Sequence, residues 1–118
     1  MILDALIWIS LAVGLAFNAL GVVGILRFPD VYTRLHADTK CTTFGSIFTS
    51  VAIVLYAGGQ YFRDPEGQYE TLALHTVLAV VVLAFTNATS AHAIARAAHK
   101  RGHKPAQAVC DRLEETVP

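Results

Sequence analysis

Residues 27–40 have the sequence RFPDVYTRLHADTK and concentrate charge between two long uncharged stretches. Before this segment the only charged side chain is Asp4, and from Cys41 to Tyr61 there is none. Soluble domains carry charge on roughly a quarter of their residues, whereas this chain has 15%. We call residues 27–40 the polar island. Its position between two apolar stretches predicts that it lies at a membrane surface.

Three stretches of the chain are long and apolar enough to cross a membrane, at about residues 2–26, 41–59 and 71–95. About 20 mainly apolar residues in a helix cross a hydrocarbon core of roughly 30 Å. Because lipid offers the backbone no hydrogen-bond partners, each stretch has to be helical. The sequence therefore predicts an all-α integral membrane protein with three transmembrane helices. No Lys or Arg precedes the first stretch, unlike a secretory signal peptide, so we expect that helix to be retained.

The basic residues indicate how the three helices are oriented. Lys and Arg number none before the first span, three in the polar island, one in the second loop and five after the third span. Basic residues in short loops stay on the cytoplasmic side. We therefore expect the N-terminus outside, the polar island inside, and a C-terminal tail, residues 101–118, in the cytoplasm. The formal net charge is zero, so no nucleic-acid partner is expected.

The polar island is itself predicted to contain a short interfacial helix over about residues 29–37. Its proline favours a first helical turn, and Asp30 and Arg34 have the favourable acid-first spacing of four residues. Asp38 or Thr39 is then expected to cap the second membrane helix. The predicted arrangement is a short amphipathic helix in the cytoplasmic interface that links the first two spans.

Small and polar residues form one face on each predicted membrane helix. Such residues let helices approach closely and hydrogen-bond in lipid. The members are Gly14, Asn18 and Gly21 in the first helix, Thr42, Gly45, Thr49 and Ala52 in the second, and Thr86, Asn87, Thr89 and Ser90 in the third. We interpret these faces as contacts with other membrane proteins. The alternative is that they face one another within the monomer.

The polar island and the end of the third helix resemble a known family. The positions that carry the resemblance are 24–37, with the sequence GILRFPDVYTRLHA, then Lys40, Thr42, Thr43 and Gly45, and finally 91–98, with the sequence AHAIARAA. This pattern resembles the small G subunit of the Mrp-type (Mnh or Pha) multisubunit antiporters, over roughly residues 14–100. That family often has a proline shortly before the second motif, where this chain has Asn87 and Ala88.

The resemblance implies a small membrane subunit of a bacterial or archaeal complex that exchanges Na+ or K+ for H+ and serves pH homeostasis. It implies subunits A to F as partners in the cell membrane, and no cofactor beyond the transported ions. Our hypothesis is a subunit needed for assembly of the complex, which either lines a Na+ path or only scaffolds it. The alternative is a self-assembling small pore or holin-like protein. No free-standing enzyme is expected.

Two groups of polar residues are candidates for function. Secondary transporters place ionisable groups near the middle of the membrane, and no Asp, Glu, Lys or Arg lies at that depth here. We therefore do not expect the chain to exchange ions alone. The candidates for an ion path or a subunit dock are Asp30, Arg34, His36 and Lys40. The candidate intramembrane polar contacts are Asn18, Thr49, His75, Thr86 and Asn87.

Each candidate has a functional and a structural interpretation. His36 either exchanges a proton at a cytoplasmic ion entry, or belongs to a dock whose charges pair with one another and with lipid phosphates. Asn18 either offers its amide oxygen to Na+ or hydrogen-bonds between helices. His75 either relays protons or faces interfacial water. No nucleophile–base pair, nucleotide-binding loop or metal-ligand spacing is predicted.

Overall fold

The computed structural model of the chain describes residues 1–64 and 67–105. In this part the chain forms three α-helices and no strand. Helix α1 comprises Ile2–Arg27, α2 comprises Val31–Tyr61 and α3 comprises Tyr69–Lys100. All three are long and apolar enough to cross a membrane, which confirms the predicted all-α fold with three transmembrane helices. Most of the predicted C-terminal tail lies outside the described residues.

A tight corner of three residues, 28–30, joins α1 to α2. The N–H of Phe28 donates to the carbonyl oxygen of Gly24 at 3.1 Å and closes the last turn of α1. Asp30 has an extended backbone, and its carboxylate accepts a hydrogen bond from the N–H of Thr33 at 3.1 Å. An N-cap carboxylate satisfies an N–H group that has no partner within the helix. Asp30 therefore determines where α2 begins.

The prediction of a separate short helix over residues 29–37 is not confirmed, because residues from 31 onward are the first turns of α2. The caps predicted for the second membrane helix lie inside α2. Thr39 Oγ1 donates to the carbonyl oxygen of Leu35 at 2.7 Å, and the Asp38 carboxylate accepts from Thr42 Oγ1 at 3.0 Å. The first fourteen residues of α2 contain no Gly or Pro, so nothing interrupts the helix. At 1.5 Å per residue, α2 is about 46 Å long, which exceeds a hydrocarbon core of roughly 30 Å.

Helices α1 and α2 pack closely along a seam of small residues. Gly14, Gly21 and Gly24 are the buried residues of α1. A Cβ on Gly14 would lie 2.5 Å from Thr49 Oγ1, and a Cβ on Gly24 would lie 2.8 Å from the Cβ of Ala37. The small-residue faces of the first two helices therefore meet within the monomer. Our interpretation of these two faces as contacts with other membrane proteins is wrong.

The three helices form an open layer with α2 in the middle. Helix α2 packs against both neighbours, whereas α1 and α3 do not contact each other. The buried apolar residues of the described part are the small residues Ala52, Ala57 and Ala98, while Trp8 and Phe85 are 70% and 73% exposed. Such extensive apolar exposure marks surfaces that contact a membrane or other proteins. Both faces of the layer are therefore available to lipid or to partner subunits.

Candidate functional site

The corner between α1 and α2 contains two of the predicted site residues. Asp30 caps α2 and accepts hydrogen bonds from both the N–H and the hydroxyl group of Thr33. Arg34 Nε donates to the carbonyl oxygen of Phe28 at 2.7 Å. This second bond runs from the first turn of α2 back to the residue that follows α1, so it stabilises the angle between the two helices. Both predicted residues therefore contribute to the structure of the corner.

The other two residues of the predicted cluster, His36 and Lys40, lie further along α2 and are exposed. They are four residues apart and so share one face of the helix. Arg34 is two and six residues away from them, which places it roughly 120–160° around the helix axis. The structure thus divides the predicted cluster into a corner pair, Asp30 and Arg34, and an exposed pair, His36 and Lys40.

The end of α3 lies beside the start of α2, because the Tyr32 hydroxyl donates to the carbonyl oxygen of His103 at 3.1 Å. This contact places the basic residues that end α3 close to the polar island. Sequence reasoning did not single out Tyr32. An interfacial tyrosine is a common membrane anchor, but nothing in the local sequence identified its partner 71 residues away.

Two of the predicted intramembrane contacts, Asn18 and Thr49, lie in the seam between α1 and α2. Asn18 Nδ2 donates to the carbonyl oxygen of Gly14 at 3.1 Å, within its own helix. The same amide packs on Gly45, where an added Cβ would lie 2.5 Å from Asn18 Oδ1. Thr49 Oγ1 donates to the carbonyl oxygen of Gly45 at 2.8 Å. These polar groups therefore take part in close packing of the two helices.

Two further predicted residues, Thr86 and Asn87, line a cavity of about 250 Å³ between α2 and α3. Asn87 Nδ2 lies 3.4 Å from Thr43 Oγ1 and joins the two helices. We call this cavity the polar hollow. Its polar lining residues are Thr42, Thr43, Ser46, Thr86, Asn87 and Ser90. Sequence reasoning identified the α3 members, but only the packing of α2 against α3 brings Thr43 and Ser46 to them.

The last predicted contact, His75, is exposed near the start of α3. Because α2 and α3 run in opposite directions, this end of α3 is remote from the polar island. Among the described residues no three His, Cys, Asp or Glu side chains are grouped so that they could hold a metal ion. The described polar groups are therefore suited to hydrogen bonding and packing at two places, the helix corner and the polar hollow.

Comparison with known proteins identifies the family of the chain. Residues 11–99 match the PhaG_MnhG_YufB family, which is described as a Na+/H+ antiporter subunit. The chain belongs to this family. The match includes the polar island and every predicted site residue, and it assigns the protein to transporter components. The predicted resemblance to the G subunit of Mrp-type antiporters is confirmed.

Individual relatives extend this assignment. The UPF0091 protein PH1428 of Pyrococcus horikoshii is 47% identical over 109 residues, which are 92% of this chain and 90% of the relative. The G subunit of the Na(+)/H(+) antiporter of Alkalihalophilus pseudofirmus is 38% identical over 69% of this chain and 64% of the relative. A chain of the membrane-bound sulfane sulfur reductase, an archaeal respiratory membrane complex, has a TM-score of 0.75 at 31% identity. That match covers 98% of this chain and 95% of the other.

Proposed function

We propose that the chain is a small membrane subunit of a multisubunit monovalent cation/proton antiporter and that the complex needs it to assemble. The match of residues 11–99 to an antiporter subunit family carries this proposal. The open helix layer supports it, because α1 and α3 do not contact each other and helices in lipid gain stability by packing together. Its partners are subunits A to F, in a bacterial or archaeal cell membrane.

The chain contributes to the exchange of Na+ or K+ for H+ within the complex and does not perform it alone. The spans at residues 41–59 and 71–95 contain no Asp, Glu, Lys or Arg, the groups that ion-coupled transporters use at this depth. The hydrogen bonds of Asp30 and Arg34 at the helix corner favour a docking role of the polar island over an ion path. His36 and Lys40 are exposed for contact with a partner subunit.

Omitting the chain from the complex tests this function. Everted vesicles that contain the complete complex are expected to dissipate a pH gradient when Na+ or K+ is added. The complex without this chain is expected to lose that exchange and to yield fewer of its other subunits on purification. Full assembly and exchange without the chain contradict the proposal. Ion leakage from liposomes that contain the chain alone instead supports a self-assembling pore.

The likeness to a chain of an archaeal respiratory membrane complex supports a second candidate function. In this alternative the protein is a small membrane subunit of a complex that is driven by a redox reaction. Purification of the tagged chain distinguishes the two candidates. A respiratory complex is expected to contain a redox-active protein with visible absorbance and to move ions when an electron donor is added. An antiporter responds to cation and pH gradients alone.

We further propose that the N-terminus faces outward and the end of α3 faces the cytoplasm. Arg63 is the single Lys or Arg between α2 and α3, and basic residues concentrate on the cytoplasmic side. A cysteine at Gln68 is expected to react with a membrane-impermeant maleimide in intact cells, in a background without Cys41 and Cys110. A cysteine at Lys100 is expected to react only after permeabilisation. The reverse labelling pattern contradicts this orientation.

A further inference from the structure

Two cavities lie along the contact between α2 and α3, and only the first has hydrogen-bonding side chains from both helices in its lining. Besides the polar hollow, an apolar cavity of about 280 Å³ lies along these helices. Ser46 lines the polar hollow and Leu55 lines the apolar one, nine residues further along α2. Ser90 and Val81 in α3 have the same relation. Because nine residues make two and a half helical turns, Ser90 and Val81 lie on opposite sides of α3. Ile47 and Val80 line both cavities, which therefore adjoin.

The polar hollow contains hydrogen-bonding groups that the described part of the chain leaves unused. The hydroxyls of Thr42 and Thr86 donate within their own helices. The hydroxyls of Ser46 and Ser90 and the amide oxygen of Asn87 make no hydrogen bond to the described residues. A polar group that faces hydrocarbon without a partner is costly. The hollow therefore favours an occupant that brings donors or acceptors.

The depth of the hollow places it inside the membrane. Asn87 is four residues from Leu83, the centre of the predicted span 71–95. Four residues correspond to about 6 Å along a helix, whereas the hydrocarbon core extends about 15 Å on each side of its centre. An occupant at this depth has to be a membrane-embedded group. Small lining residues such as Ser46 and Ala84 allow another helix to approach closely.

We propose that the polar hollow is the docking site for a transmembrane helix of a different subunit, which presents a small residue and a hydrogen-bonding side chain. The inference rests on the proposed function as a complex subunit. A lipid acyl chain has no hydrogen-bonding group and suits the adjoining apolar cavity. A second copy of the chain is disfavoured, because the mid-helix amide of α1, Asn18, is already packed on Gly45.

Photo-crosslinking in the assembled complex tests the occupant. A photoreactive amino acid in place of Ser90 is expected to cross-link to another subunit of the complex. The same amino acid in place of Val81, on the opposite side of α3 from Ser90, is expected to give several-fold less subunit product. Cross-links from position 90 to lipid alone, or to a second copy of this chain, overturn the proposal. A wild-type chain that co-purifies with no other subunit contradicts the proposed function itself.

A bulky substitution in the hollow provides a second test that does not depend on cross-linking. Ala84→Phe fills the polar hollow, whereas Val81→Phe adds the same bulk at the adjoining apolar cavity. Ala84→Phe is expected to reduce the amount of co-purified partner subunits about tenfold. A tenfold change corresponds to about 1.4 kcal/mol, which lies within the usual cost of overpacking a contact. Val81→Phe is expected to retain the partner subunits. An immunoblot of the membranes verifies that the Ala84→Phe chain is present. Undiminished partner subunits with Ala84→Phe overturn the proposal, whether exchange is retained or lost.

Discussion

Replacing Gly14 with valine is expected to remove most of the chain from the assembled complex. A Cβ at this position would lie 2.5 Å from Thr49 Oγ1, 2.9 Å from the Thr49 backbone nitrogen and 3.0 Å from the Gly45 carbonyl oxygen. Two of these three atoms belong to the backbone of α2, so rotation of a side chain does not relieve the contact. Overpacking costs about 1–3 kcal/mol, roughly a 5- to 150-fold change in an equilibrium. The chain content of the purified complex and its Tm measure the effect.

Gly58→Val is the matched control for this substitution. A Cβ on Gly58, also in a helix, would meet no atom within 4 Å, so we expect a change within about 0.5 kcal/mol, as for ordinary surface substitutions. In the milder variant Gly14→Ala, the second substitution Thr49→Ala is expected to restore part of the loss. It removes the hydroxyl but leaves the two backbone contacts. Wild-type chain content and Tm for Gly14→Val would contradict the close α1–α2 seam.

The fold class could be predicted because it depends on local properties of the sequence. Hydrophobic length identified the three membrane helices, and the charge of the polar island located the turn between the first two. The start of the second helix was predicted wrongly, since Asp38 or Thr39 was interpreted as its N-cap, whereas the N-cap is Asp30. Lys, Arg and Ala are good helix formers. Residues 31–44 contain no Gly or Pro. Nothing therefore interrupts the helix there, and Val31–Tyr61 forms one helix.

The contacts between faces could not be predicted because they depend on the arrangement of the helices. A pattern of small residues indicates that a face is packed, but it does not identify the partner. Gly14 and Thr49 were both identified, yet only the structure shows that they meet. Asn87 was likewise identified, whereas the polar hollow around it exists only because α3 packs on α2. The remaining predicted roles, as ion path or dock, require experiments on the complex.

Replacing Asp30 with alanine is expected to reduce assembly several-fold, whereas asparagine is expected to leave it near the wild-type level. Asp30 is the N-cap of α2 and accepts from the N–H of Thr33 at 3.1 Å. Asparagine caps helices about as well as aspartate, and alanine costs about 0.5–2 kcal/mol. Since asparagine retains the hydrogen bond but removes the charge, the two variants separate these contributions. The measurements are the chain content of the purified complex and the rate of Na+-dependent exchange per complex.

His36→Ala completes this series, because His36 is exposed on α2 and lies outside the corner that Asp30 caps. If the polar island is a subunit dock, His36→Ala lowers the amount of complex, and each complex that assembles exchanges ions at the wild-type rate. If the island lines an ion path, Asp30→Asn removes a charge and His36→Ala removes an imidazole that can carry a proton. Both variants then assemble fully and lose exchange. Full assembly with lost exchange in both therefore contradicts the dock, because a docking contact affects the number of complexes and not the rate of each one.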